Sequence, residues 1–268
     1  MINKVNYFFA ILISLLPLAL ITGPALPDII ISLSGIFFLI YILLNNSYIK
    51  IIQNRLVQIS IFFWIFLLFI SFFAQNSELA YKDSIIFIRY LIIPIILVFG
   101  LFNNIKILKV SLGIIFSCVV FVCLDCLYQF FNYRPEIGYG KDLLGFMPHW
   151  YGRLTGPFYQ ELIPGAYISK FGLIGLIFIF LNVKDKTNQN TISIIYLSLI
   201  GFIAFVSGER MAFATFLLGI FFLLIFYREK RNIFLLSFLF ILLTSYTITK
   251  IHPSFNDYKI IESKANHL

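Results

Sequence analysis

The chain has 268 residues, of which 60% are hydrophobic and only 12% charged, with 33 Phe and a mean hydropathy of +0.95. Soluble domains carry roughly 25% charged residues, so this balance excludes a water-soluble globular protein and points to a polytopic membrane protein. The net charge of +8 falls mostly in short connections between apolar segments, where it reads as a topology signal; no nucleic-acid partner is expected.

In chain order, apolar segments fall at about 6–22, 29–44, 56–73, 85–101, 110–130, 161–181, 192–207, 211–227 and 233–248. Lipid offers no partner for a free backbone N–H or C=O, so these segments are predicted to be helices. The expected fold is an all-α transmembrane bundle of nine spans over 1–248, with an outer loop at 132–160. The stretch 249–268 is expected to begin a periplasmic loop or tail. Lys4 followed by Tyr7 to Ile21 has the charged start and apolar centre of a signal peptide, but no small-residue cleavage pattern follows. It is predicted to be an uncleaved first helix, turning at Gly23-Pro24-Ala25-Leu26-Pro27-Asp28 into the second.

A cytoplasmic N-terminus puts Lys4, Lys50, Arg55, Lys106, Lys109, Lys184, Lys186, Arg228, Lys230 and Arg231 on the inner side. The short outer connections then carry only Lys82 and Arg210, which is the positive-inside asymmetry. Cys118, Cys123 and Cys126 share one apolar segment without zinc-site spacing and are expected to be buried thiols.

The run from Ile192 to Tyr227 would be ~54 Å long as one helix, against a hydrocarbon core of roughly 30 Å. It must break, and the break falls at Ser207-Gly208-Glu209-Arg210. Charges there are costly unless they face water or bind something, which makes the tetrad the first candidate site. The plainer alternative is a topology charge, Arg210, paired locally with Glu209. Within the spans, Arg89, Asp125 and Lys170 lie roughly 6, 8 and 14 Å from the outer end, with Glu161 at the start of its helix. Arg89 and Asp125 either snorkel or support a site; Lys170 is expected to pair with Asp125 or Glu161, or to line a wet cavity. All are biased to the outer leaflet. His149 beside Trp150 reads as an interfacial pair or a base, Tyr151, Tyr159 and Tyr167 as sugar-stacking aromatics or merely part of a chain that is 19% aromatic, and Gly165, Gly172 and Gly175 as helix-packing positions.

The sequence contains no GxxxxGK[ST], HExxH, DxD or GxSxG pattern. An enzyme of this kind is expected to use neither metal nor cofactor and to act on an already activated substrate at the outer face. A lipid-linked diphosphate sugar meets that condition, because arginines can neutralise a departing diphosphate.

Two segments resemble the signature of the O-antigen ligase/polymerase family of bacterial membrane proteins. One is Gly152-Arg153-Leu154-Thr155-Gly156-Pro157-Phe158, followed by Gly165-Ala166-Tyr167; the other is Ser207-Gly208-Glu209-Arg210-Met211-Ala212, with Glu209 where Ser is commoner. The resemblance implies an inner-membrane glycosyltransferase with a periplasmic active face. Its donor would be undecaprenyl diphosphate-linked glycan, and its acceptor lipid A-core (ligase) or another glycan (polymerase). Arg153 and Arg210 are then expected to engage the donor diphosphate, with Glu209, Lys170, Arg89, Asp125 and Glu161 in support. The family also has a large periplasmic loop with a histidine after the ninth span, and further spans beyond it. The sequence here stops at Leu268, where that loop would begin, so a fragment is expected, the alternative being a shortened protein that binds donor without transferring glycan; neither His252 nor His267 is matched to the loop histidine. The rivals are a transporter or lipid flippase, which would need polar residues in the inner half of the spans, and a non-catalytic membrane subunit.

Overall fold

Apolar runs of this composition close their hydrogen bonds internally, and the described residues are mostly helical. The computed structural model describes residues 8, 11–44, 51–96 and 105–255. Lys4, Tyr7, Lys50 and His267, together with the ends of several expected segments, lie outside the described residues. The helices are α1 (Leu16–Ile21), α2 (Ala25–Leu44), α3 (Arg55–Ser71), α4 (Ser77–Ile86), α5 (Ile88–Ile96), α6 (Ile105–Phe131), α7 (Pro164–Asn182), α8 (Lys186–Val206), α9 (Arg210–Phe226) and α10 (Arg231–Ile251). A two-stranded antiparallel ribbon, β1 (Tyr133–Arg134) and β2 (Gly138–Tyr139), pairs Tyr133 with Tyr139 and Arg134 with Gly138.

Among the described residues five helical stretches are long and apolar enough to cross a membrane: α2, α6, α7, α8 and Arg228–Ile251. Ile11–Ile21, α3 and α9 are apolar but shorter. The nine expected segments each contain helix, and among the described residues five helical stretches reach spanning length. The polar connection expected at 74–84 is largely helical as α4, capped by Asn76, whose side chain accepts the Leu79 N–H at 3.3 Å. The chain divides into two compact units, Met1–Ser111 and Leu112–Leu268.

In the first unit Ile13, Phe38, Ile42, Ile92 and Ile96 form a common core. Trp64 Nε1 donates to the Ser84 carbonyl at 2.9 Å and so joins α3 to α4.

In the second unit α8 packs against α7, α9 and α10. Ser193, Tyr196, Leu197, Ile200, Gly201 and Ala204 recur every three or four residues on its buried face. Small residues let the helices approach: a Cβ on Gly172 would fall on Ile200, and one on Gly201 on Ile241. Asp185 caps the start of α8 by accepting the Asn188 N–H at 3.1 Å, so the helix begins six residues before the expected apolar segment. Cys118, Cys123 and Cys126 are free and buried.

Candidate functional site

Two polar residues one turn apart on α6, Asp125 and Gln129, are fully buried and hold the loop that follows. Gln129 Oε1 accepts the N–H groups of Thr155 and Gly156, each at 3.0 Å, and Nε2 donates to Thr155 Oγ1 at 3.2 Å. Asp125 Oδ1 accepts the Leu143 N–H at 2.8 Å. Asp142 closes the intervening turn by accepting the Phe146 N–H at 2.7 Å. Its carboxyl is pushed up by burial, against the opposing pull of the backbone N–H groups around it. Gly156 has φ +52°, and a Cβ there would lie 2.6 Å from Cys126 Sγ, so the loop seats on α6 only with glycine at this position. Leu154, Thr155 and Phe158 are consequently buried, and Arg153 is left exposed. The expectation that Asp125 snorkels or pairs with Lys170 is corrected: its role is to fix loop backbone.

The Ser207–Arg210 tetrad is the turn between α8 and α9. Ser207 Oγ donates to the Ala204 carbonyl at 2.9 Å, and Gly208 adopts φ +81°. Glu209 does not pair with Arg210. Its Oε1 accepts the Gly165 N–H at 2.7 Å and its Oε2 the Ala166 N–H at 3.2 Å. The carboxylate thus serves the start of α7, where unpaired N–H groups and the helix dipole favour negative charge. Burial pushes the Glu209 carboxyl up, while the two N–H groups, Arg153 and Lys170 act in the opposite direction. The start of α9, at Arg210, carries no side-chain cap.

These two turns meet at a cavity of ≈ 780 Å³. Arg153, Gly208, Glu209 and Arg210 line it together with Tyr139, Gly152, Phe205, Met211, Phe213, Ser254 and Phe255. The size is ordinary for a small-ligand site. A Cβ on Gly208 would lie 3.2 Å from Arg153 Cγ, so the missing side chain makes room for the arginine stem. Among the described residues neither Arg153 nor Arg210 has a hydrogen-bond or carboxylate partner. The apolar wall is an aromatic cluster: Phe205 stacks on Phe255 with centroids 5.6 Å apart and meets Phe213 at 5.2 Å. Chemically, the cavity offers two guanidinium groups without a hydrogen-bonded partner, Arg153 also acting through its charge on the Glu209 carboxylate, and an uncapped helix start beside an apolar surface, which suits an anion carrying an apolar or sugar substituent.

The remaining candidates fall elsewhere. Lys170 is exposed and, among the described residues, pairs with no carboxylate, contrary to the pairing expected with Asp125 or Glu161. It acts on Glu209 through its charge alone. Glu161 is exposed and does not line the cavity. Arg89 belongs to the first unit, where it pairs with Asp28 at 3.2 Å and donates to the Tyr90 hydroxyl at 2.8 Å. Asp28, assigned from sequence only to a hairpin, is the partner that holds it. His149 Nε2 lies 2.6 Å from Gln160 Nε2, and Tyr167 is part of the core. Sequence reasoning missed Ser254 and Phe255, because the stretch from Thr249 was read as tail while α10 continues to Ile251 and returns the chain to the cavity, and it missed Tyr139, one aromatic among many in the loop at 132–160. No family model matches the chain, and no curated protein or solved structure matches it.

Proposed function

We propose that the chain is a membrane glycosyltransferase that binds the diphosphate of a lipid-linked glycan through Arg153 and Arg210. The observation that carries this reading is that two unpartnered guanidinium groups, from segments distant in sequence, line one cavity. A guanidinium stays charged at every working pH and matches phosphate oxygens in bidentate fashion. In the proposed reaction an acceptor hydroxyl attacks the anomeric carbon and the bond from that carbon to the diphosphate oxygen breaks. The charge that develops on the leaving group is met by the two arginines. With the resemblance to the O-antigen ligase/polymerase family, the donor is undecaprenyl diphosphate-linked glycan. The acceptor is lipid A-core or a growing glycan, and the setting is the periplasmic face of a bacterial inner membrane.

The test is photocrosslinking of the protein in native membranes with a lipid-linked diphosphate glycan. Labelling of the α8–α9 turn and the loop at Arg153, lost in Arg153→Ala and Arg210→Ala, is the expected outcome. Undiminished labelling in both variants at equal expression rejects the reading, as would labelling confined to the first unit. Incubation of labelled donor with lipid A-core and with free glycan then separates ligase from polymerase. Appearance of free donor on the opposite leaflet without a new glycosidic bond would instead identify a flippase.

A further inference from the structure

His252 follows the end of α10, and its ring stacks on Phe130 at 4.3 Å, with Tyr133 at 5.2 Å and Tyr139 at 6.4 Å. Its Nδ1 lies 2.7 Å from Ser254 Oγ and also accepts the Ser254 backbone N–H at 3.4 Å. The Tyr139 hydroxyl donates to the same Ser254 oxygen at 3.1 Å. Ser254 is only 4% exposed, and what it exposes is part of the wall of the Arg153–Arg210 cavity.

A serine hydroxyl has one hydrogen to give. While the imidazole is neutral with Nδ1 unprotonated, that hydrogen is held by Nδ1, and the oxygen is already engaged by Tyr139. Ser254 then offers the cavity no donor. Protonation at Nδ1 reverses the bond: the imidazolium donates to Ser254 Oγ, and the hydroxyl hydrogen is free to turn into the cavity. We propose that Ser254 is a hydroxyl ligand for the anion bound in the Arg153–Arg210 cavity, and that protonation of His252 directs its hydrogen toward that anion. The proposal rests on the diphosphate reading above and adds a positioning residue, His252, that acts only through Ser254.

Burial among aromatic rings holds the imidazole below the ordinary histidine range, so the empty site keeps it neutral near pH 7 and an arriving anion draws in a proton. The groups facing the ring are Phe130 from α6, Tyr133 from β1 and Tyr139 from β2. Burial pushes the Tyr139 phenol up to about 12, which removes it from the physiological window. On its own element the nearest charge, Lys250, lies over the Tyr246 ring at 5.8 Å. The charged groups of the cavity are Arg153, Glu209 and Arg210, and burial pushes the Glu209 carboxyl up.

The experiment is calorimetric titration of the full chain in nanodiscs with inorganic diphosphate, at about pH 5.5 and about pH 8. Comparing wild type with Ser254→Ala at each pH cancels the titration of the probe and of Glu209. Ser254→Ala is expected to weaken binding about tenfold at the lower pH and less than about twofold at the higher. In a His252→Asn background, whose side-chain amide can place a permanent donor near the Nδ1 position, Ser254→Ala is expected to weaken binding by a similar factor at both pH values. Equal affinities of wild type and Ser254→Ala at both pH values overturn the proposal, as does an effect of Ser254→Ala that keeps its full pH dependence in the His252→Asn background. An Arg210→Ala control distinguishes the two levels: if it leaves diphosphate affinity intact, the diphosphate reading itself has failed. If it weakens binding while Ser254→Ala does not, only the role of Ser254 is lost.

Discussion

Glu209 Oε1 accepts the Gly165 N–H at 2.7 Å, which ties the turn ahead of α9 to the first turn of α7. A Cβ on Gly165 would collide with Ser207 Oγ and lie 3.0 Å from Glu209 Oε1, so the two segments meet without a side chain between them. The acidic member of the tetrad therefore builds the cavity wall, and the arginine beside it lines the cavity without pairing to it. Glu209→Ala removes the acceptor from two helix-start N–H groups. It is expected to cost about 1–3 kcal/mol, with Glu209→Gln costing less because one acceptor oxygen remains. Thermal unfolding in detergent measures both.

The same carboxylate gives a pH signature. Burial holds it above its ordinary value of 4.5, so the folded chain binds this proton more tightly than the unfolded chain does. Its contribution to stability is fully present below that value and declines as pH rises through the window between it and the higher folded value. Above that window the contribution is flat. Glu209→Gln should abolish this segment of the stability profile, and a profile unchanged by the substitution would refute the assignment.

Gln129 bears on stability for a different reason. Its Oε1 serves two buried N–H groups, so Gln129→Leu would leave both Thr155 and Gly156 without an acceptor away from water. An unpaired buried group costs about 1–3 kcal/mol, so a loss of about 2–5 kcal/mol is expected. Faster amide exchange at Thr155 and Gly156, with less change in the interior of α8, would show that the loop is what has been released.

Much of this was legible in the sequence, and what was not has a physical cause. Apolar runs announce helices because lipid leaves the backbone no other solution. The break at Ser207–Arg210 follows from length alone, and the structure places it between α8 and α9. The partners of the charges were not legible. From the sequence Lys170 is an opposite charge in the same half of the spans as Asp125, yet Asp125 accepts the Leu143 N–H. Sequence shows charges and hides backbone donors, and a buried carboxylate is served as well by an N–H as by an ammonium group. Arg89 was equally opaque, because Asp28 lies far away in sequence at the start of another helix. The C-terminal boundary of α10 was lost to a local signal: Thr249 and Pro253 resemble a tail, while the aromatic contacts of His252 and Phe255 that bring the segment back are tertiary.

Gly156 is constrained twice, by its left-handed backbone and by the thiol facing it. Gly156→Ala should destabilise by about 1–3 kcal/mol, since an L side chain is disfavoured at such φ and the new methyl meets Cys126 Sγ. Cys126→Ala removes the sulfur and relieves only the steric part. The double variant should thus be more stable than the sum of the single changes predicts, whereas strict additivity would show that the backbone alone sets the cost.

Arg153 and Arg210 line the same cavity and neither is neutralised by a carboxylate partner among the described residues, so each should act on a bound diphosphate more than on folding. Both are exposed, and replacing an exposed cation changes stability within about 0.5 kcal/mol. A charge-assisted contact contributes about 1.5–3 kcal/mol, so Arg210→Ala or Arg153→Ala should weaken diphosphate binding by roughly ten- to a hundredfold. Lysine keeps the charge and loses the planar fork, so Arg210→Lys should fall between wild type and alanine. If the two arginines hold one ligand, removing both should cost less than the summed single losses, because the second arginine has less to hold once the first is gone. Binding isotherms for the four proteins in nanodiscs decide this. Additive losses would mean that the arginines act on separate ions, and a large fall in melting temperature would move them from ligand binding to architecture.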